Sequence, residues 1–370
     1  MLDPKPLVEL CEQGVREGVF PGAAFAFGTA RKSAFGFAGR HRYETDSPKV
    51  SARTFFDLAS VSKVLGTTTA AMVLCDDGSL DLDAPVHAYV REFQGLGKDK
   101  VAVRNLLLHD SGLPAYASYQ KDAPSPEETV HRLLAEELRK PCGADTVYSC
   151  VNAITLQKVV ESVAGLPLDR LLRARVFDPL GMGSTHFNPG ASLKSYCAPT
   201  ERIESWRRNV RVKRGSAYAA DEQWIQGEVH DPLAFLLGGV SGNAGLFAPA
   251  GDVARFLQEV LRCLAGRKSA VFTTATLAAW TKRASNASSR ALGWDTKSPE
   301  GSSAGKVFSE ASFGHTGYTG TSVWVDPKRG LFAALLTNRV HPSAANEKIA
   351  EFRPRFHDLA AELFDRQPAV

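Results

Sequence analysis

The feature of this sequence that most constrains its fold is the position of the strand-like segments, which lie at both ends of the chain. Near the amino terminus, Gly22–Gly28 (GAAFAFG) and Ser33–Gly39 (SAFGFAG) are short apolar and aromatic runs separated by a polar connector, a pattern typical of a β-hairpin. Near the carboxyl terminus, residues 321–325 and 331–337 predict two more strands joined by a turn-rich connector. The simplest packing brings both pairs into one antiparallel sheet.

Helical patterns fill most of the chain between these strands. Apolar residues recur with helical periodicity in residues 60–76 and 151–164, and the second pattern ends at Gly165 and Pro167. Further helical patterns cover residues 7–17, 101–109, 126–139, 168–176, 252–264 and 343–364. We therefore predict an α+β fold in which a helical lobe lies beside the sheet and leaves a cleft between the two.

The order of these elements predicts the domain boundaries. Residues 1–57 and 245–370 form a discontinuous sheet lobe, and residues 58–244 form the helical lobe. Residues 184–230 lose their periodicity and become polar, which predicts a long excursion over the surface of the helical lobe.

Composition excludes several classes of protein. Hydrophobic residues make up 44% and charged residues 23% of the 370 residues, which argues against an intrinsically disordered chain. No apolar run reaches the ~18–20 residues that a membrane span needs. The 44 basic and 40 acidic residues leave a net charge of only +4, so we expect no nucleic-acid partner. Metal-binding and nucleotide-binding motifs are missing, so we expect no metal and no other cofactor.

The cysteines and the amino-terminal segment indicate the cellular compartment in which the protein is expected. The six cysteines are scattered and none forms a C-x-x-C pair, so we expect free thiols in a reducing compartment. The first residues, MLDPKP, lead directly into a helical pattern, without the apolar stretch of ~7–15 residues that a signal peptide contains. We therefore expect a cytoplasmic protein, or a periplasmic one if a leader has been removed. The oligomeric state stays open.

The segment FFDLASVSKVL contains a serine and a lysine one helical turn apart. Because Ser60 and Lys63 stand at the start of a predicted helix, their side chains share a face, with ~5–6 Å between Cβ atoms. A serine hydroxyl is a poor nucleophile until a base takes its proton, and a buried lysine can do so when its pKa is lowered. Backbone N–H groups at the helix start can also stabilise an oxyanion. Alone, S-x-x-K equally fits an exposed Ser/Lys pair.

Two further segments contain candidate functional residues. Tyr148 lies just before a predicted helix, and a phenol near a lysine ammonium can act as a general base. The run FGHTGYTGT leads into a predicted strand, where His315 and Thr316 can hold a carboxylate or carbonyl and Gly317 permits close approach of a substrate. Taken singly, these segments also fit a packed tyrosine and a glycine-rich turn with a surface histidine.

Together, the order and spacing of S-x-x-K, Y-S-x and H-T-G resemble the three active-site motifs of the penicillin-recognising serine hydrolases. This superfamily includes class C-type β-lactamases, D-alanyl-D-alanine carboxypeptidases and family VIII-like esterases. The segments DGSLDLDAPV from Asp77, LLLHDSGLP from Leu106 and GGVSGNAGLF from Gly238 share the resemblance. It extends from about Gly18 to the last predicted helix. It implies the β-lactamase/transpeptidase-like fold, with a five-stranded antiparallel sheet flanked by helices beside an all-helical lobe.

The resemblance implies a role for each motif. Ser60 would be the acylated nucleophile, Lys63 and Tyr148 would share the general-base role, and the backbone N–H groups of Ser60 and Tyr318 would form the oxyanion hole. The expected substrate-binding residues are His315, Thr316, Gly317, Cys150 and Tyr116. The substrate would be a small ester, lactam or D-amino-acid peptide.

Two positions depart from the family pattern. Cys150 stands where β-lactamases and peptidases usually have an asparagine that holds the substrate amide, so we expect weaker amide recognition and a substrate-contacting or packed thiol. His315 stands where many β-lactamases have lysine, but some carboxypeptidases have histidine there. We therefore predict a serine acyl hydrolase, with carboxylester hydrolysis ranked ahead of β-lactamase or D-peptidase activity. A non-catalytic penicillin-binding-like domain is the second alternative.

Three other features have competing interpretations. The G-x-S-x-G match around Ser303 is typical of the nucleophile elbow of α/β-hydrolases, but no strand precedes it, so we expect a surface loop. The run 207–214 holds five cations in eight residues, which predicts a solvated face, with steering of anionic substrates as the alternative. His109 and His230 are expected to be structural.

Overall fold

The structure, a computed structural model, describes residues 2–285 and 287–366, and nine strands occur within them. In chain order they are β1 (Gly22–Gly28), β2 (Ser33–Gly39), β3 (Phe56–Asp57), β4 (His186–Phe187), β5 (Leu246–Ala248), β6 (Asp295–Thr296), β7 (Phe313–Thr316), β8 (Ser322–Asp326) and β9 (Leu331–Thr337). Six of them form one antiparallel sheet in the order β2-β1-β9-β8-β7-β6, and β3, β5 and β4 form a second, small sheet. The amino-terminal hairpin therefore pairs with strands from the other end of the chain, as predicted.

Helices surround the large sheet and build the second lobe. In chain order the α-helices of the described residues are α1 (Lys5–Arg16), α2 (Thr69–Asp76), α3 (Val103–Leu108), α4 (Pro126–Ala135), α5 (Cys150–Ala164), α6 (Leu168–Leu172), α7 (Ser205–Lys213), α8 (Pro232–Leu236), α9 (Ala250–Leu264), α10 (Thr274–Thr281) and α11 (Ile349–Asp365). None of them combines the length and the apolar character that a bilayer-spanning segment requires. The predicted α+β fold is confirmed.

Alternating side chains of β1 face two different cores. Phe25 and Phe27 lie on the face covered by α1 and α11, and the ring centroids of Phe25 and Phe356 are 5.5 Å apart. Ala24 and Ala26 lie on the opposite face, where α9 packs against the strand. Successive residues of a strand point to opposite faces of the sheet. Because the side chains on the α9 face are small, that helix can approach the strand closely. The sheet is therefore buried on both sides.

The sequence patterns missed β6, β7 and the small sheet. Strand β7 pairs with β8, with Gly314 opposite Trp324 and His315 opposite Val323. A Cβ atom at Gly314 would lie 2.1 Å from the carbonyl oxygen of Val323, so glycine is required at this position. Glycine has a low β-propensity, so the local sequence gives little strand signal here. Strand β7 forms because it pairs with β8. The large sheet consequently has six strands, one more than the resemblance implies.

The segment 184–230 contains regular structure that the sequence patterns did not predict. The basic run coincides with α7, in which Arg207 is 0% exposed. The guanidinium of Arg207 donates to the carbonyl oxygens of Val229, at 3.1 Å, and of His230, and it pairs with Glu228 at 3.4 Å. Arg208 and Arg211 are half-buried and Lys213 and Arg214 are exposed, so the predicted solvated face fails only at Arg207. Arginine fills an inward position that an apolar residue usually occupies, so hydrophobic periodicity gave no helical signal there.

Candidate active site

Ser60 follows a short buried segment that is tied to the end of the sheet. The hydroxyl of Thr319 donates to the carbonyl oxygen of Asp57 at 2.7 Å, and the Asp57 carboxylate accepts from the amide of Ala59 at 2.8 Å. Ala59 has a φ of +45°, in the left-handed region, which costs a non-glycine residue about 1–3 kcal/mol. These hydrogen bonds hold the strained residue, and with it the position of Ser60.

Lys63 lies one turn beyond Ser60, in a π-helical turn (Lys63–Thr68) that continues into α2. Its Nζ atom donates to the Oγ atom of Ser60 at 2.9 Å, to the carbonyl oxygen of Asn243 at 2.9 Å and to the Sγ atom of Cys150 at 3.6 Å. An ammonium group has three N–H donors, and three acceptors surround this one. The structure thus brings together the Ser/Lys pair that the sequence spacing predicted.

The environment of Lys63 favours its charged form. Burial acts to lower the pKa of Lys63, but the acidic groups of Cys150, Tyr148 and Asp231 outweigh it and raise the pKa above its usual value. This differs from the lowered pKa that a lysine general base would need. In the resting protein Lys63 is therefore an ammonium that holds Ser60 and leaves the Ser60 hydroxyl hydrogen free to point elsewhere.

Tyr148 lies beside this pair in a cluster of rings. The Nζ atom of Lys63 is 5.0 Å from the centroid of the Tyr148 ring, and the rings of His109 and His315 lie 4.8 Å and 5.7 Å from it. Among the described residues the buried hydroxyl of Tyr148 has no hydrogen-bond partner. The ring is therefore fixed by its neighbours, while the phenol oxygen stays available to a proton donor.

His315 is a neutral side chain behind Tyr148. Its Nδ1 atom donates to the carbonyl oxygen of Thr316 at 2.8 Å. Burial, followed by the charges of Arg290 and Lys63, lowers the pKa of His315 well below its usual value. His315 therefore offers no positive charge to a substrate carboxylate.

A cavity of about 450 Å³ opens beside Ser60. Of the predicted site residues, those in its wall are Ser60, Tyr148, Cys150, Tyr116 and Tyr318. His315, Thr316 and Gly317 are not part of this wall. Gly317 packs against the nucleophile segment, since a Cβ atom there would lie 2.5 Å from the carbonyl oxygen of Leu58. The substrate-binding roles expected for these three residues stay predictions.

The two amides predicted for the oxyanion hole both belong to residues of the cavity wall. Neither the Ser60 nor the Tyr318 backbone N–H donates a hydrogen bond to any described residue. Backbone N–H groups without an acceptor next to a nucleophile are suited to bind the oxyanion of an acyl-transfer transition state. Their role as the oxyanion hole stays a prediction.

Acidic residues that the sequence motifs did not indicate occupy another part of the wall. Glu201, Glu204 and Asp231 line the cavity, and within the described residues its wall contains no lysine or arginine. Burial acts to raise the pKa of Glu201, but hydrogen bonds from His230 and from the Ala344 amide lower it below its usual value. The Glu201 carboxylate is therefore ionised at neutral pH.

The alternative nucleophile lies elsewhere in the fold. Ser303 is in a turn without a preceding strand, and its Oγ atom accepts a hydrogen bond from Nε1 of Trp324 at 3.2 Å. Trp324 belongs to the core on the α1 and α11 face of the sheet, whereas Ser60 follows a segment packed in the other core. The expected surface loop is confirmed, and among the described residues the Ser303 hydroxyl makes no hydrogen bond to a histidine, lysine or carboxylate.

Comparison with known proteins shows the family to which the chain belongs. A family model described as Beta-lactamase matches residues 7–353. The N-acetylmuramyl-L-alanine amidase of Bacillus subtilis (strain 168) is 33% identical over 371 residues, covering 90% of this chain and 80% of that protein. A penicillin-binding protein homologue from Caulobacter crescentus has the same fold, with a TM-score of 0.74 at 20% identity, covering 96% of this chain and 97% of that one. Simvastatin synthase from Aspergillus terreus also shares it, with a TM-score of 0.74 at 18% identity over 100% of both chains. The chain therefore belongs to the Beta-lactamase family and is a serine hydrolase.

Proposed function

We propose that this protein hydrolyses carboxylesters through an acyl-Ser60 intermediate, and that its preferred substrates carry no carboxylate close to the scissile bond. The observation that carries this proposal is the charge of the cavity wall. Three acidic side chains, Glu201, Glu204 and Asp231, line the cavity, whose described wall has no lysine or arginine and one histidine, His230, which hydrogen-bonds to Glu201.

Like charges in a partly enclosed cleft repel more strongly than in water. β-Lactams and peptides that end in D-alanine both carry a carboxylate, and His315 is neutral where many β-lactamases have lysine. Cys150 stands in place of the asparagine that holds the substrate amide in those enzymes. Both features favour an uncharged ester, which also has a better leaving group than an amide.

The acylation step follows from the hydrogen bonds around Ser60. The Lys63 ammonium donates to the Oγ atom of Ser60, so the hydroxyl hydrogen of Ser60 is directed away from Lys63. Tyr148, whose oxygen lacks a partner among the described residues, acts as a phenolate: it accepts that proton and becomes the neutral phenol while Oγ attacks the ester carbonyl. The amides of Ser60 and Tyr318 bind the developing oxyanion. The proton then passes to the departing alcohol, and water reverses the sequence to release the acid.

Amide hydrolysis is the second candidate. It is supported by the name of the Bacillus subtilis relative, N-acetylmuramyl-L-alanine amidase, which is 33% identical over most of this chain. β-Lactamase and D-peptidase activity have less support, because they require a carboxylate-bearing substrate in an acidic cavity. A non-catalytic role would leave the Ser60–Lys63 hydrogen bond and its adjoining cavity without a function.

The test is a turnover screen with matched substrates. Para-nitrophenyl acetate and para-nitrophenyl hydrogen succinate differ by one carboxylate, and they are compared with a chromogenic cephalosporin, a D-alanyl-D-alanine peptide and an N-acetylmuramyl-L-alanine amide. We expect the acetate ester to have the highest kcat/KM. Ser60→Ala should abolish turnover and Ser303→Ala should leave it unchanged. A higher kcat/KM for the cephalosporin or for either peptide substrate would contradict the proposal.

A further inference from the structure

Arg290 lies against the ring of Tyr148. Its guanidinium carbon is 4.8 Å from the centroid of that ring, and the Lys63 Nζ atom is 5.0 Å from the same centroid. Cations within about 6 Å of an aromatic ring are attracted to it. Two positive charges therefore act on one phenol, although the catalytic motifs account for only one of them.

The guanidinium of Arg290 has no other charged partner among the described residues. It makes no ion pair or side-chain hydrogen bond there, and its Nη1 atom is buried without a partner. Arg290 is half-buried, and leaving one nitrogen of a guanidinium buried without a partner is costly. Arg283, which precedes it in the same connection, instead donates to the Thr296 hydroxyl at 2.9 Å and to the Lys297 carbonyl at 2.7 Å. The Arg290 charge is thus directed at the ring cluster rather than used to tie down its own loop.

Of the other ionisable groups near Tyr148, two histidines and a cysteine are uncharged, and Asp231 is a carboxylate that also acts on Lys63. Burial lowers the pKa values of His109 and His315 well below their usual range, so both imidazoles are neutral. Burial raises the pKa of the Cys150 thiol, so that group is also neutral at physiological pH. The carboxylate of Asp231 is held by Asn243 at 3.0 Å and by the Tyr116 hydroxyl at 3.3 Å. Nearby positive charge favours the ionised form of an acid.

We propose that Arg290 is a positioning residue for acylation, holding the Tyr148 ring and stabilising the phenolate that takes the Ser60 proton. The inference rests on the proposed function, in which Tyr148 is the proton acceptor. In this step the O–H bond of Ser60 breaks and an O–H bond forms on Tyr148. Arg290 takes no part in the proton transfer itself.

The experiment compares Arg290→Met, which removes the charge at similar length, with Arg290→Lys, which keeps it. Arg283→Met is the matched control, because it removes an arginine that bonds to Thr296 and Lys297 and does not lie against the Tyr148 ring. For para-nitrophenyl acetate we expect Arg290→Met to lower kcat by about 10- to 100-fold at neutral pH with little change in KM. The acid limb of its pH–rate profile should rise by about 1–2 pH units. Arg290→Lys should restore most of the rate, and Arg283→Met should match the wild type.

A second measurement does not depend on turnover. Phenolate absorbance is titrated in each protein and corrected with the corresponding Tyr148→Phe variant. A higher midpoint in Arg290→Met than in the wild type supports the proposal, and coincident midpoints overturn it. The proposal is also overturned if Arg290→Met loses kcat without a shift in the acid limb of its pH–rate profile and Arg290→Lys does not restore the rate. Arg290 would then have only a structural role. If the wild type hydrolyses no ester, the proposed function fails, and the absorbance titration alone decides whether Arg290 stabilises the phenolate.

Discussion

Replacing Gly317 by alanine tests how the sheet positions the nucleophile. A Cβ atom at this position would lie 2.1 Å from the Thr321 hydroxyl oxygen and 2.5 Å from the carbonyl oxygen of Leu58. The Thr321 hydroxyl cannot simply rotate away without losing its 2.8 Å hydrogen bond to that same carbonyl. The Leu58 backbone would therefore have to retreat by roughly 0.5 Å to reach a 3.0 Å contact. Ser60 lies two residues further along, so the displacement reaches the nucleophile.

Gly317→Ala is expected to lower both the stability and the activity of the protein. Overpacking of this kind destabilises by about 1–3 kcal/mol. A displacement of about 1 Å at a reacting group can cost about 100-fold in rate, so we expect Gly317→Ala to lower kcat/KM by about 10- to 100-fold. The assay combines urea unfolding with ester hydrolysis. Gly251→Ala is the control, because its Cβ atom would meet nothing within 4 Å in α9. Wild-type kcat/KM and unfolding free energy in Gly317→Ala would refute the reasoning.

Three further predictions concern the site and the pH dependence of stability. Lys63→Ala should slow labelling of Ser60 by a fluorophosphonate by about 10²–10⁴-fold while leaving the thermal midpoint nearly unchanged, and labelling at the native rate would contradict the mechanism. Cys150→Asn should raise amide turnover relative to ester turnover, because asparagine can add one hydrogen bond in the transition state, worth about 1–3 kcal/mol. An unchanged ratio of amide to ester turnover would show that the side chain does not face the substrate. Burial, aided by neighbouring arginines, lowers the pKa of His41 to about 4 and that of His357 to about 3. The unfolded chain takes up these protons near pH 6.5 and the folded chain does not, so the unfolding free energy should fall by about 1.4 kcal/mol per pH unit per histidine between pH 6.5 and 4; a flat profile in denaturant titrations would contradict this.

Structural features that depend only on residues close together in the chain could be predicted from the sequence. The spacing of Ser60 and Lys63 predicts that they lie one turn apart, because it depends on local backbone geometry. The two apolar and aromatic runs with their polar connector likewise predict a hairpin whose strands have the bounds that the structure shows. The motifs also indicated the family, because their order along the chain is specific even where each motif alone is not.

Other features depended on contacts between distant segments, and only the tertiary structure decided them. Tyr148, Arg290 and His315 come from separate segments, and nothing in the spacing of Arg290 indicates that it would lie against a tyrosine more than a hundred residues away. The acidic wall that contains Glu201 is formed by loops without periodicity or motif, so no local signal indicated it. Burial alone would lower the pKa of Lys63, but the acidic groups that the fold brings close to it raise that pKa. The direction of the pKa shift therefore depends on contacts between distant segments. Local sequence thus determined which side chains share a helix or a strand, while long-range packing determined their charge states and the cavity that they line.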